Sequence, residues 1–163
     1  MINLVLVSLA ILLIYTGIVY YLFKIPESYS GTYYLFKDIG YEWPFTIFCF
    51  LTVFTLIAPW MEASSEDYQF LIFLACGSLG FVGAAPLFKI KGSTQMKVHF
   101  ISAGICIVSS MLWVRLETSY CWIPALGFLG TIYPILKNKS KWLFWIEAAS
   151  FLTLHIVVLL SIL

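Results

Sequence analysis

Charge is what this chain lacks most. Of its 163 residues only 10% are Asp, Glu, Lys or Arg, against about 25% in a typical soluble domain. Hydrophobic residues make up 62%. A water-soluble fold of this size cannot hide so much apolar surface, so the expected solvent is lipid. The formal net charge is +1 and no basic tract occurs, which argues against nucleic acid as a partner. Histidine is scarce, with two in the chain (His99 and His155), and they form no Ser-His-acid arrangement for a hydrolase triad. There is no glycine-rich nucleotide loop and no mid-segment lysine for a Schiff base. The four cysteines, Cys49, Cys76, Cys106 and Cys121, make neither a CxxC pair nor zinc-like spacing. Those inside apolar runs read as small packing residues. No cofactor is expected.

What remains is hydrocarbon in blocks. Six apolar segments, near 2–23, 43–61, 69–88, 98–114, 120–136 and 142–163, approach the roughly 20 residues that cross a bilayer. They are continuous rather than alternating, so they predict helices and an all-α polytopic membrane protein with a single domain. No Lys or Arg precedes the first segment and its apolar run exceeds that of a secretory signal, so it is expected to be a retained span.

The few charges are sorted. Lys24, Lys37, Lys89, Lys91, Lys97, Lys137, Lys139 and Lys141 fall in the first, third and fifth loops, leaving Arg115 as the one basic residue elsewhere. The positive-inside bias makes those loops cytoplasmic and both termini external. All six tryptophans lie near segment ends, as interfacial anchors should. "LGFVGAAPLFKIK" (Leu79–Lys91) and "LGFLGTIYPILKNK" (Leu126–Lys139) echo one another, which suggests three parallel hairpins. Gly77, Gly80 and Gly83, with Ala84 and Ala85, are expected to admit a close neighbouring helix. That neighbour is expected from this chain or from a second copy, both of which stay open, while a protein partner or membrane lipid would meet the first loop.

Ionisable groups on a lipid-facing surface cost about 2.5–3.5 kcal/mol near mid-bilayer, so they turn inward. Counting from Lys141, Glu147 lies roughly 9 Å and His155 roughly 21 Å along the last helix. The depth of His99 predicts a hydrogen bond to Glu147, whereas His155 suits a helix-to-helix polar contact. Glu27, Ser28, Ser30 and Thr32 of the long first loop lie on the same side. With His99 and Glu147 they outline a polar pocket facing the cytoplasm, and Ser28 or Ser30 is expected to cap a short interfacial helix. If a metal were held, His99 and Glu147 would be its ligands, with Glu27 as a marginal third.

Two stretches carry a resemblance. "SYSGTYY" (Ser28–Tyr34) and the segment from Gly77 to Ile105, with Val98-His99 and Ala103 opening the fourth span, resemble the DRAM-type six-span family of autophagy modulators and GPI-anchor remodelling factors. Gly31 stands where that family carries an aspartate. The resemblance implies a membrane protein that acts on or organises lipids, without a settled chemistry. The same segment looks like membrane proteins of gut Bacteroidetes and their phages, which implies a bacterial inner membrane and no particular function. Three functions stay open: a non-enzymatic lipid- or partner-binding module, a small proton-coupled carrier using Glu147, and a membrane-embedded metal-dependent lipid hydrolase.

Overall fold

The computed structural model describes residues 1–163, and every regular element in it is helical. The α-helices are α1 (Ile2–Phe23), α2 (Thr32–Asp38), α3 (Pro44–Glu62), α4 (Gln69–Ala84), α5 (Thr94–Glu117), α6 (Trp122–Lys137) and α7 (Trp142–Ile162). Short 3₁₀ turns, Glu66–Tyr68 and Lys139–Lys141, lead into α4 and α7.

Helix ends follow local chemistry. Pro44 opens α3, where its missing N–H costs nothing. The Ser93 side chain caps α5 by accepting from the Met96 amide at 3.0 Å. Hydropathy carries the third apolar segment to residue 88, but α4 stops at Ala84. Pro86 disfavours helical backbone in the residue before it, and Ala85 leaves the helix at φ −115°. At the exit of α1, Lys24 takes φ 63°, a strained conformation for a residue with a Cβ. The chain turns sharply there, back beneath the bundle.

Five segments are long and apolar enough to cross a membrane: Ile2–Phe23, Pro44–Glu62, Glu66–Ala84, Thr94–Glu117 and Lys139–Ile162. The sixth expected span, α6, has 16 residues, or about 24 Å of helix against a hydrocarbon core of about 30 Å. It packs on α7 alone among the long helices. Of the others, α1 contacts α3 and α7, α3 contacts α4, and α4 contacts α5. Between α5 and α7 contact is slight.

Two apolar clusters give the bundle its polarity. One joins Val5 of α1, Trp60 of α3, Ile72 of α4, Trp113 of α5 and Val157 of α7. The other joins Leu12 and Tyr15 of α1 with Tyr29, Phe36, Phe45, Phe48 and Phe144. Successive long helices therefore alternate in direction, and the lysine-bearing connections gather at the end that holds the second cluster. We refer to it as the lysine end.

Close approach between helices is confined to two glycines. A Cβ on Gly83 would lie 2.7 Å from Cβ of Cys49, and the Thr46 hydroxyl donates to the Gly83 carbonyl at 2.9 Å. On Gly127 it would collide with the Thr153 methyl. Around Gly77 nothing lies within 4 Å, and at Gly80 only Phe50 approaches, at 3.7 Å. The expected glycine surface thus reduces to one residue. Gly83→Ala should lower stability by about 1–3 kcal/mol through overpacking. Gly77→Ala should leave it unchanged or raise it by up to about 1 kcal/mol, alanine being the better helix former. Thermal unfolding of the two variants in detergent measures both, and equal losses would contradict this packing.

Candidate functional site

Glu147 lies on the second turn of α7, facing the first loop. Its Oε2 accepts from the backbone N–H of Tyr29 at 2.6 Å. One turn earlier the Phe144 amide, which has no partner within its own helix, donates to the Glu27 carbonyl at 3.0 Å. These two bonds run in opposite senses and fasten the loop to the start of α7. Tyr29 makes the junction tight: its ring stacks on Phe144 with centroids 5.0 Å apart and planes 5° from parallel. Its hydroxyl shares a 2.7 Å hydrogen bond with Thr16 of α1. Burial pushes the Tyr29 phenol above its ordinary value of 10.0; the Thr16 bond opposes the rise, and the neighbouring Glu147 carboxylate adds to it.

The other loop residues hold the loop's own shape. Ser28 accepts from the Gly31 amide at 2.8 Å and lies 3.3 Å from the Ser30 hydroxyl. Neither serine caps α2, whose N-cap is Gly31 with no side-chain bond; Ser28 is spent on the turn before it. Thr32 is fully buried between the Tyr15 hydroxyl of α1 and the Tyr29 carbonyl. Glu27 turns its side chain outward, 76% exposed, to within 4.0 Å of Lys89.

The expected His99–Glu147 bond is absent. Nδ1 of His99 lies 3.1 Å from the Ala85 carbonyl, and its ring stacks on Phe88 at 4.3 Å. The reason is local: α4 ends before Pro86, which leaves carbonyls without intrahelical partners, and the histidine across the α4–α5 turn reaches one of them. Its depth matches Glu147, but α5 presents it to α4. His155 bonds through Nε2 to the Ser8 hydroxyl of α1 at 2.9 Å, while its Nδ1 lies 2.7 Å from the Phe151 carbonyl. Nowhere do three His, Cys, Asp or Glu side chains converge as metal ligands, so His99, Glu147 and Glu27 form no metal centre.

A cleft opens where α5 and α7 fail to meet. A cavity of about 100 Å³ lies among α3, α4, α5 and α7, bordered by 21 residues of which 16 are apolar. Tyr29, Ser30 and Glu147 border it at the lysine end, Trp60 and Leu154 toward the other end. On α3 its lining runs from Phe45 to Trp60, roughly 22 Å of helix. Ile107, also on its rim, is 42% exposed, so the cleft reaches the outer face of the bundle.

Sequence reasoning places Tyr29 in the polar first loop but misses its role as the loop's anchor to both α1 and α7. It also misses that Cys49, Cys76 and Cys106, from three helices, border one cleft. Tyr29 falls inside the Ser28–Tyr34 motif, but nothing in the sequence marks its backbone N–H as a partner. For the thiols, which are widely spaced in sequence, no signal exists.

Glu147→Ala should release the first loop by removing a charge-assisted bond worth about 1.5–3 kcal/mol. That predicts a rise of roughly tenfold to a hundredfold in hydrogen exchange at the Tyr29 amide. Glu147→Gln keeps an acceptor and should raise it far less, and exchange mass spectrometry of the loop peptide separates the two. Above about pH 10 the unfolded chain loses the Tyr29 proton while the folded chain retains it, so stability should fall with rising pH there. Unfolding midpoints of wild type and Tyr29→Phe across that range check this, since the phenylalanine variant should lose part of the alkaline decline. No protein-family model matches the chain, and no curated protein or solved structure matches it either.

Proposed function

We propose that this chain is a non-enzymatic membrane module that receives the hydrocarbon chain of a lipid in the cleft between α5 and α7. On this reading it has six spans, with α6 short enough that the bilayer thins beside it. The lysine end lies in the cytoplasm of a bacterial inner membrane and both termini lie outside. The observation that carries this reading is the cleft: it is long, apolar along most of its lining, open toward the bilayer at Ile107, and bounded at the lysine end by Tyr29 and Ser30. A leaflet's hydrocarbon is about 15 Å deep, and the α3 residues that border the cavity span roughly 22 Å, so the cavity lies at the depth of an acyl chain and receives part of it.

Catalysis has little to work with. The cleft contains one ionisable acid, Glu147, no histidine, and three buried or partly buried thiols. Hydroxyls along its wall donate to their own helices: Thr52 to Phe48, Ser110 to Cys106, and Ser150 to Ile146. A proton carrier would need a polar chain leading away from Glu147, and those hydroxyls are committed elsewhere.

Filling the cleft tests the proposal. Ala103 borders it from α5, partly buried, and packs against the second apolar cluster, so Ala103→Phe directs a ring into the space, and the unfolding temperature checks that the cluster is kept. Purified from membranes and analysed by native mass spectrometry, the wild type should carry about one retained lipid per chain. The variant should carry at least tenfold less at an unchanged unfolding temperature. Equal lipid retention would sink the proposal. Proton-driven flux into liposomes that is abolished by Glu147→Gln would replace it with the carrier.

A further inference from the structure

The cleft's lining specifies more than an apolar tail. Oε2 of Glu147 is engaged by Tyr29, while Oε1 has no partner in the protein. The only wholly buried side-chain polar atom without a partner is Nε1 of Trp60, so Oε1 retains open surface. Glu147 borders the cleft, which makes that oxygen a free acceptor at the cleft's lysine end.

Everything else polar around it is short of donors. Glu147 is the one carboxyl side chain among the 21 lining residues, and no Lys, Arg or His is among them. The hydroxyl protons of Thr52, Ser110 and Ser150 are spent on backbone carbonyls. Tyr29 shares its hydroxyl with Thr16, and Ser30 lies against Ser28. A phosphate or carboxylate head would therefore meet a carboxylate with no cation to offset it, and the one hydroxyl proton left over from the Ser28–Ser30 pair is all that could donate to it. A head that donates hydrogen bonds meets an acceptor that lacks only a donor.

Depth sets where the head lies. Glu147 is five residues past Trp142, about 8 Å into α7, and the loop fastened by Tyr29 and Glu27 bounds the cleft at that end. A head at Glu147 therefore lies against that loop.

We propose that the cleft selects a small-headed amphiphile without phosphate, a long-chain amine or alcohol, whose head donates to Glu147 Oε1 while its tail lies along α3. This rests on the cleft being a hydrocarbon-chain site. The chemistry shared by the two candidates is N–H or O–H donation, and charge separates them: an ammonium gains from the carboxylate in a way that a hydroxyl does not.

Binding of tritiated dodecylamine to the full chain in phosphatidylcholine nanodiscs, with empty nanodiscs subtracted, provides the test. Dodecanol, dodecyl phosphate and dodecanoate serve as competitors. Dodecylamine should bind, dodecanol should compete, and the two anions should compete at least tenfold more weakly than unlabelled dodecylamine. Because this series uses the wild-type protein, it does not depend on how any variant folds. In Glu147→Gln, dodecylamine affinity should fall about tenfold and dodecanol affinity less than threefold. Anions that compete as well as the amine would overturn head-group selection and leave the hydrocarbon site standing. Head-group selection is likewise overturned if none of the four binds while Ala103→Phe still sheds its lipid. If none binds and Ala103→Phe keeps its lipid, both proposals fall.

Discussion

A carboxylate in the second turn of an apolar helix cannot be left facing hydrocarbon, and the lysine end of this protein is arranged around that constraint. Glu147 meets it with a main-chain amide of the first loop rather than with another side chain. Because the donor belongs to the backbone, the bond fixes the path of the loop as well as the rotamer of the acid. The Phe144–Glu27 bond and the Tyr29–Phe144 stack then hold the loop at the start of α7. Tyr29 and Thr32 carry the attachment on to α1 through Thr16 and Tyr15. One acid thereby joins the first and last long helices through a segment that belongs to neither.

The same arrangement leaves the cleft. α5 packs along α4, α7 packs along α1 and α6, and the two scarcely touch each other. In water such a seam would close under the hydrophobic effect. In a bilayer there is no such drive, since lipid tails are as apolar as the side chains they replace, and on the proposed reading the seam is where a lipid chain lies. Closure at the lysine end by Tyr29 and Ser30 turns the seam into a pocket. The unpartnered oxygen of Glu147 gives that pocket its only free carboxyl oxygen.

Much of this is legible in the sequence where the information is one-dimensional. Position along a helix can be read by counting residues, so the gathering of the lysine loops at one end and the turns of α7 that carry Glu147 and His155 follow from spacing. Helical class follows from the continuity of the apolar runs. Direction around a helix axis is not legible, because helices that are apolar nearly all round show no preferred face. His99 illustrates the loss: its level matches Glu147, yet it faces the carbonyl that the Pro86 break leaves free. Gly77, Gly80 and Gly83 look equivalent in sequence, but only Gly83 lies against another helix at close range. The cleft itself arises from which helices fail to touch, and no local pattern encodes that.

Whether hydrocarbon from the bilayer occupies the space between α5 and α7 can be read out by chemistry at the tail itself. A long-chain alcohol carrying a diazirine at the end of its chain is reconstituted with the protein in a phospholipid bilayer and photolysed. Adducts are expected on Cys76 and Ala75, which border the cleft and are at most 4% exposed, so surrounding lipid cannot reach them from outside. Adducts confined to outward-facing residues such as Ile14, Phe54 and Tyr133 would contradict an occupied cleft.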